Sequence, residues 1–250
     1  MKHENFGKKR CTAIVLAAGQ GSRMGTKVQK QYLEIEGKPV LYYSLAVFES
    51  SNIIDDIILV VGEGQIEYCK KEIVEKYRFS KVVEIVTGGK ERYESVYCAL
   101  LIMDKIGKKD EGENGYVFIH DGARPFVNEE IIERTYHAVM EHQACVAGMP
   151  TKDTIKVVGQ DGFAKETPDR NTLWLIQTPQ VFESALIKKA YFRLMEEKNI
   201  QVTDDAMVVE KILGVPVKLV EGSYENIKIT TPEDLPVAEI FVKQRQKKAL

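Results

Sequence analysis

The sequence predicts an α/β fold, a mostly parallel sheet with helices on both faces and a β-hairpin arm projecting from it. Three observations predict it. Short apolar, often β-branched runs alternate with amphipathic helical stretches from Thr12 to Met149, the pattern of a parallel sheet with crossover helices. The chemically distinctive residues collect just after those runs: Gly19 to Lys30 after the first, Gly88, Gly89 and Arg92 after the third, Asp121 and Arg124 after the fourth. That is the edge where open α/β sheets bind ligands. The alternation then breaks at Pro150, around a Gly159-Gln160-Asp161-Gly162 turn signal.

In order, Thr12 to Leu16 reads as a short buried strand, too short for a helix. Glu36 to Pro39 marks a turn, Val40 to Ser50 a helix and Ile57 to Val61 a second strand. Gln65 to Tyr77 is amphipathic, with Ile66, Cys69, Ile73, Val74 and Tyr77 on one face. Val82 to Thr87 is a strand closed by two glycines, and Arg92 to Ile106 a helix with Val96, Ala99, Leu100 and Met103 inward. After a charged loop, Gly107 to Gly115, come a strand at Tyr116 to His120, a helix at Asn128 to His142 and a strand at Ala144 to Met149. Asp153 to Val158 and Gly162 to Glu166 form the hairpin, whose polar outer residues mark it as an arm leaving the body. Thr172 to Phe182 returns to the body. Helices follow at Glu183 to Lys198, Asp204 to Leu213 and Pro232 to Lys247, with strands Val217 to Glu221 and Ile227 to Ile229 before the last. No repeat or linker divides the chain. Residues 1–250 therefore read as one domain, with a polar tail at 1–10 and an arm at about 150–171.

The formal net charge of -2 carries no bulk signal for nucleic acid, and no apolar run reaches the ~20 residues of a membrane span. The polar start, Met1 to Arg10, has no apolar signal core, so a soluble cytoplasmic protein is expected. Cys11, Cys69, Cys98 and Cys145 are widely spaced and read as reduced thiols, neither a disulfide frame nor a zinc site.

The loop Ala17-Ala18-Gly19-Gln20-Gly21 lets backbone approach a ligand closely and present N–H groups to an anion. Arg23, Lys27 and Lys30 follow. It is not a Walker loop, because Ser22-Arg23-Met24 stands where Gly-Lys-Ser/Thr is needed. It departs from a dinucleotide fingerprint at Met24 and at Gly62, where an acid would close the second strand. By itself the loop is equally an ordinary strand-to-helix turn with solvated cations. Asp121 suits a metal or a ribose hydroxyl, or is a turn acid. Arg124 binds phosphate or clips Asp121. His120 reads as a packed strand-end residue, and His137 and His142 as solvent residues. Thr203-Asp204-Asp205 reads first as a helix cap with first-turn acids, a substrate contact from Thr203 being secondary.

Four segments together carry a resemblance: Leu16 to Met24 with Lys30-Gln-Tyr-Leu33, His120 to Pro125, Asp169-Arg-Asn171 with Gln177-Thr-Pro-Gln180, and Glu221 to Lys228. On them the chain resembles the 2-C-methyl-D-erythritol 4-phosphate cytidylyltransferases, within the sugar nucleotidyltransferases, from Thr12 to Phe241. The resemblance implies a Rossmann-like fold, CTP and a polyol phosphate as substrates, Mg²⁺ or another divalent cation, and a homodimer whose arms reach across. It matches Arg23 and Lys30 to transition-state stabilisers, and Arg170 and Lys228 to groups that position the sugar phosphate. Ala17, Ala18, Gly19, Gly89, Ser95, Asp121 and Ala123 fall to the nucleotide, with Asp121 also the candidate metal ligand. Arg124, Thr154, Thr178 and Thr203 fall to the second substrate. Two departures stand out. Gln29 replaces the proline common before Lys30, implying a less rigid approach, and Gly122 replaces a common alanine, a small change. Ribitol-5-phosphate cytidylyltransferase shares the loop and Thr178-Pro179-Gln180. A nucleotide-binding regulator without catalysis would not require Arg23, Lys30 and Lys228 together.

Overall fold

A computed structural model describes residues 8–19, 29–106, 115–197 and 201–248. The loop cations Arg23 and Lys27 lie outside the described residues. In chain order the strands are β1 (Cys11–Ala17), β2 (Glu34–Ile35), β3 (Lys38–Pro39), β4 (Asp56–Val61), β5 (Val82–Thr87), β6 (Tyr116–Asp121), β7 (Ala144–Pro150), β8 (Val157–Val158), β9 (Ala164–Glu166), β10 (Trp174–Glu183) and β11 (Lys218–Glu221). The helices are α1 (Val40–Ser50), α2 (Ile66–Tyr68), α3 (Arg92–Ile106), α4 (Glu129–His142), α5 (Ser184–Glu196), α6 (Asp205–Leu213) and α7 (Asp234–Lys248). α2 runs on into a wider-pitched turn, Cys69–Glu75, where the sequence pattern predicts regular helix.

Seven strands form one sheet in the order β11-β7-β10-β6-β1-β4-β5. Only β10 runs antiparallel to its neighbours, β6 and β7. The central strands are buried on both faces, and their successive side chains point to opposite sides. Ala13 and Val15 of β1, with Ile57 and Leu59 of β4, face one layer, completed by Leu41, Leu45 and Phe48 of α1 and Ile131 and Ile132 of α4. Ile14, Ile58 and Val60 face the other, completed by Val96 and Leu100 of α3 and Ile187 and Tyr191 of α5. A small third cluster, including Phe126, Ile229 and Ala238, seats α7. None of the described helices is long and apolar enough to cross a membrane.

Local chemistry sets the helix ends. Asn128 caps α4 by accepting from the Ile131 N–H, with Glu129 and Glu130 in the first turn where the helix dipole favours acids. α6 stops at Gly214, whose φ of 66° is left-handed backbone that glycine adopts without strain.

Three expectations change. Ile227 to Ile229 joins no sheet; Ile229 N–H donates to the Ala123 carbonyl at 2.8 Å, and the segment crosses the end of β6 instead of flanking an edge strand. The arm is a shorter ladder than expected, only β8 with β9. It is also not polar outside: Ile155, Val157 and Val158 are exposed and Phe163 is 75% exposed. At Gly122 a Cβ would stand 2.8 Å from Leu41 Cδ1, the movable end of a side chain, and 3.0 Å from the Leu16 carbonyl oxygen.

Candidate active site

An open cleft of about 620 Å³ lies beyond the carboxyl ends of β1 and β6. A second hollow adjoins it and shares Arg92, Asp121 and Lys228 with it. The two form one two-lobed cleft, at the edge the sequence pattern selects.

The first lobe is floored by Ala18 and Gly19, with Lys30, Gly89, Ser95 and Ala123 around it. Ala17, 2% exposed, is the buried end of β1 beneath. Gln31 holds this lobe together. Its buried amide donates to the Ala17 carbonyl at 2.6 Å, the Gly19 carbonyl at 3.1 Å and Gln29 Oε1 at 2.8 Å. Lys30 is thus anchored through its neighbour to the strand end it faces. Gln29 has φ -64° and ψ 139°, the backbone a proline would impose, so the substitution keeps the approach to Lys30 in shape. Across the lobe, Ser95 Oγ accepts the Gly89 N–H at 3.1 Å. A Cβ on Gly88 would stand 2.6 Å from Ser95 Oγ and 2.7 Å from Ala18 Cβ, so glycine is what lets strand end and helix start close on each other.

The shared wall is ionic. Asp121 Oδ2 lies 2.8 Å from Lys228 Nζ and 3.6 Å from Arg124 Nε, and Oδ1 accepts from Arg92 Nε at 3.3 Å. Burial alone would raise the Asp121 pKa, but Arg92, Lys228 and Arg124 outweigh it and hold the carboxyl far below the usual range. Arg124 clips Asp121, one of its two readings, and also lines the second lobe. Its Nη1 and Nη2 donate to the carbonyls of Asn226 and Ile176 at 2.9 and 3.4 Å.

Thr178 and Thr203 line the second lobe. Thr178 Oγ1 accepts the Asp121 N–H at 3.1 Å and lies 2.9 Å from His120 Nδ1. The Arg124 carbonyl can only accept, so His120 Nε2–H donates to it at 3.1 Å, and in the neutral ring Nδ1 then accepts from the Thr178 hydroxyl. His120 is wholly buried and packs edge-on to Phe48. Burial pushes its pKa down to about 4. It is the packed strand-end residue expected, a neutral brace and no catalytic base.

The start of α6 corrects another expectation. Asp204, not Thr203, is the cap, its side chain accepting from Met207 N. Asp205 is no solvated first-turn acid: it is fully buried and accepts two bonds from Arg92, at 2.9 and 2.8 Å, and one from Tyr191 Oη at 2.5 Å. Gln180 Oε1 accepts the Asp205 and Ala206 N–H groups at 3.0 and 2.9 Å, bolting α6 to β10. Gln31, Gln180 and Asp205 are the supporting residues that pattern reading missed. Gln31 and Gln180 sit inside the quoted segments, which was the one signal available.

Among the described residues no three His, Cys, Asp or Glu side chains gather as a metal cage. A single carboxylate, Asp121, faces both lobes. That set fits a magnesium ion arriving on a polyphosphate, which keeps its waters and takes few protein oxygens. Thr154 and Arg170, on the arm, are not among the described residues lining either lobe of their own chain.

The family model described as "IspD: 2-C-methyl-D-erythritol 4-phosphate cytidylyltransferase" matches residues 11–244. Proteins of that name from Lachnospira eligens and Lachnoclostridium phytofermentans are 52% and 48% identical, over 93% and 95% of this chain and 99% and 98% of theirs. The Anaerococcus prevotii structure of 4-diphosphocytidyl-2C-methyl-D-erythritol synthase superposes with a TM-score of 0.80 at 34% identity, covering 94% of this chain and 97% of that one. The Thermus thermophilus 2-C-methyl-D-erythritol 4-phosphate cytidylyltransferase gives 0.72 at 27%, covering 92% and 98%.

Proposed function

The chain belongs to the 2-C-methyl-D-erythritol 4-phosphate cytidylyltransferase family, and from that premise we propose how its cleft performs the reaction. The enzyme joins CTP to 2-C-methyl-D-erythritol 4-phosphate, giving 4-diphosphocytidyl-2-C-methyl-D-erythritol and pyrophosphate, in isoprenoid precursor synthesis. The observation that carries the reading is the shared wall: two adjoining lobes meet at Lys228, Asp121 and Arg92.

A phosphate oxygen of the polyol phosphate attacks the α-phosphorus of CTP, a new P–O bond forms, and the bond from that phosphorus to the bridging oxygen breaks as pyrophosphate leaves. Such transfers rest on positioning and charge. In this reading Ala18, Gly19, Gly89 and Ser95 hold the nucleotide, while Asp121 and Ala123 stand beside its ribose. Lys30, with Arg23 from the loop, offsets charge growing on the α-phosphate oxygens. Lys228 and Arg124 receive the polyol phosphate, with Thr178 and Thr203 on its hydroxyl side. Asp121 would hold a Mg²⁺ ion brought in on the triphosphate, and the ion would supply charge neutralisation for the departing pyrophosphate.

The arm, about residues 150–171, completes the site of a partner. Its exposed Ile155, Val157, Val158 and Phe163 suit burial against a second copy, and Thr154 and Arg170 then serve the partner's sugar phosphate. A cytoplasmic setting suits the four unpaired thiols. The test is pyrophosphate release with four nucleotides crossed against methylerythritol and ribitol phosphates, with and without Mg²⁺. Turnover is expected with CTP, methylerythritol phosphate and Mg²⁺. Faster turnover with ribitol phosphate overturns the polyol assignment, and tight nucleotide binding without turnover overturns catalysis.

A further inference from the structure

The Arg92–Asp205 pair lies between the two lobes and carries no role in the chemistry above. Arg92 begins α3 and lines both lobes. Its guanidinium is committed in two directions: Nη1 and Nη2 to the two oxygens of Asp205, and Nε to Asp121. A planar, forked cation meeting a carboxylate at two points is fixed in orientation as well as position. Asp205 is itself immobilised. It is 0% exposed, its carboxylate takes the Tyr191 hydroxyl, and its N–H is held by Gln180. The chain of contacts runs from the core of α5 through Asp205 and Arg92 to Asp121, and from there to Lys228 at 2.8 Å.

We propose that Asp205, braced by Tyr191, is a positioning residue for the transfer reaction: it aims Arg92 across the division between the lobes and so fixes the Asp121–Lys228 pair against which both substrates dock. The inference rests on the function proposed above. It explains why a carboxylate is buried at a helix start with both oxygens hydrogen-bonded, where a solvated acid would serve the helix dipole equally well. A buried ion pair is weak as a source of stability; its service here is orientation.

The test is a double-mutant cycle on Asp205→Asn and Arg92→Lys, with Tyr191→Phe beside it. Arg92→Lys keeps the charge but lacks the fork. Each of the two variants is expected to lower kcat/KM for the polyol phosphate about tenfold or more, with the double variant within about threefold of the worse single. Tyr191→Phe lowers it in the same direction by less. The Kd of CTP, read by calorimetry, weakens in both single variants, whereas loss of folded enzyme would lower kcat alone. Multiplicative losses, unchanged kcat/KM in folded Asp205→Asn, or a fall confined to kcat each overturn the proposal. Absence of wild-type turnover would instead overturn the proposed function, and the calorimetric cycle would still decide whether Asp205 places Arg92.

Discussion

The cleft and the arm are built by opposite rules. In the cleft each described functional group is held by a second residue: Lys30 through Gln31, Gly89 through Ser95, Asp121 through three cations, His120 between Thr178 and the Arg124 carbonyl. On the arm the residues assigned to substrate have little of this. β8 and β9 are exposed throughout, and Arg170 sits in an exposed turn held by the Asp169 side chain on Asn171 N–H. The cleft borrows rigidity from the buried sheet; in the dimer proposed above the arm would obtain it from the second copy. A site can be preorganised on one side within a chain and left to be completed on the other.

The largest expected effect tests the preorganised side. Lys30→Ala should keep the fold and lower kcat by about 10²-fold or more, the scale for removing one group at a developing charge, and Lys30→Met should match it. Unchanged kcat with a raised KM would leave Lys30 a binding group only. Next comes the brace beneath the ionic wall. Because the folded His120 pKa sits near 4, against 6.5 for the free imidazole, the unfolded chain binds the extra proton first as pH falls. His120 therefore contributes its full stability above pH 6.5 and loses it as pH falls towards 4, about 2 kcal/mol by about pH 5. Denaturant titrations across that window should show the slope in wild type and a flatter one in His120→Gln.

Gly88→Ala forces Ser95 and Ala18 apart and should raise the KM for CTP about tenfold, since small misplacements in a preorganised site cost heavily; an unchanged KM would mean the loop yields. The crossed-arm side is tested by mixing inactive Lys30→Ala and Arg170→Ala chains with subunit exchange verified. One site of each mixed dimer is intact, so about a quarter of wild-type activity should return. No recovery would place Arg170 at its own chain's site and erase the contrast between the two regions. The smallest effect belongs to Gln29→Pro. The backbone there already suits proline, and although the exchange removes one acceptor of the Gln31 amide, its bonds to the Ala17 and Gly19 carbonyls stay, so turnover should stay within about twofold.

Much of this was legible from residues alone. Apolar runs and their spacing located β1, β4, β5, β6 and β7, and α1 and α3 begin and end where the pattern places them. The cleft's position followed because strand-end residues of a parallel sheet share one edge whatever the loops between them do. Ile227 to Ile229 misled because a short apolar run satisfies the strand template whether or not an edge is free to pair with it. Asp205 misled because an acid at a helix start has a sufficient local explanation, and its partner Arg92 is far away in sequence.

The sequence by itself determined most strands of the main sheet, which sheet edge carries chemistry and which family the motifs resemble, since these depend on periodicity and on residues close together in the chain. Only the tertiary structure decided that Asp205 meets Arg92, that Gln31 and Gln180 clamp loop and helix, and that His120 is a neutral brace. Those facts depend on burial and on partners brought together from different elements, where a charge or an amide must find its match or be costly to bury, and no local pattern records which match it found.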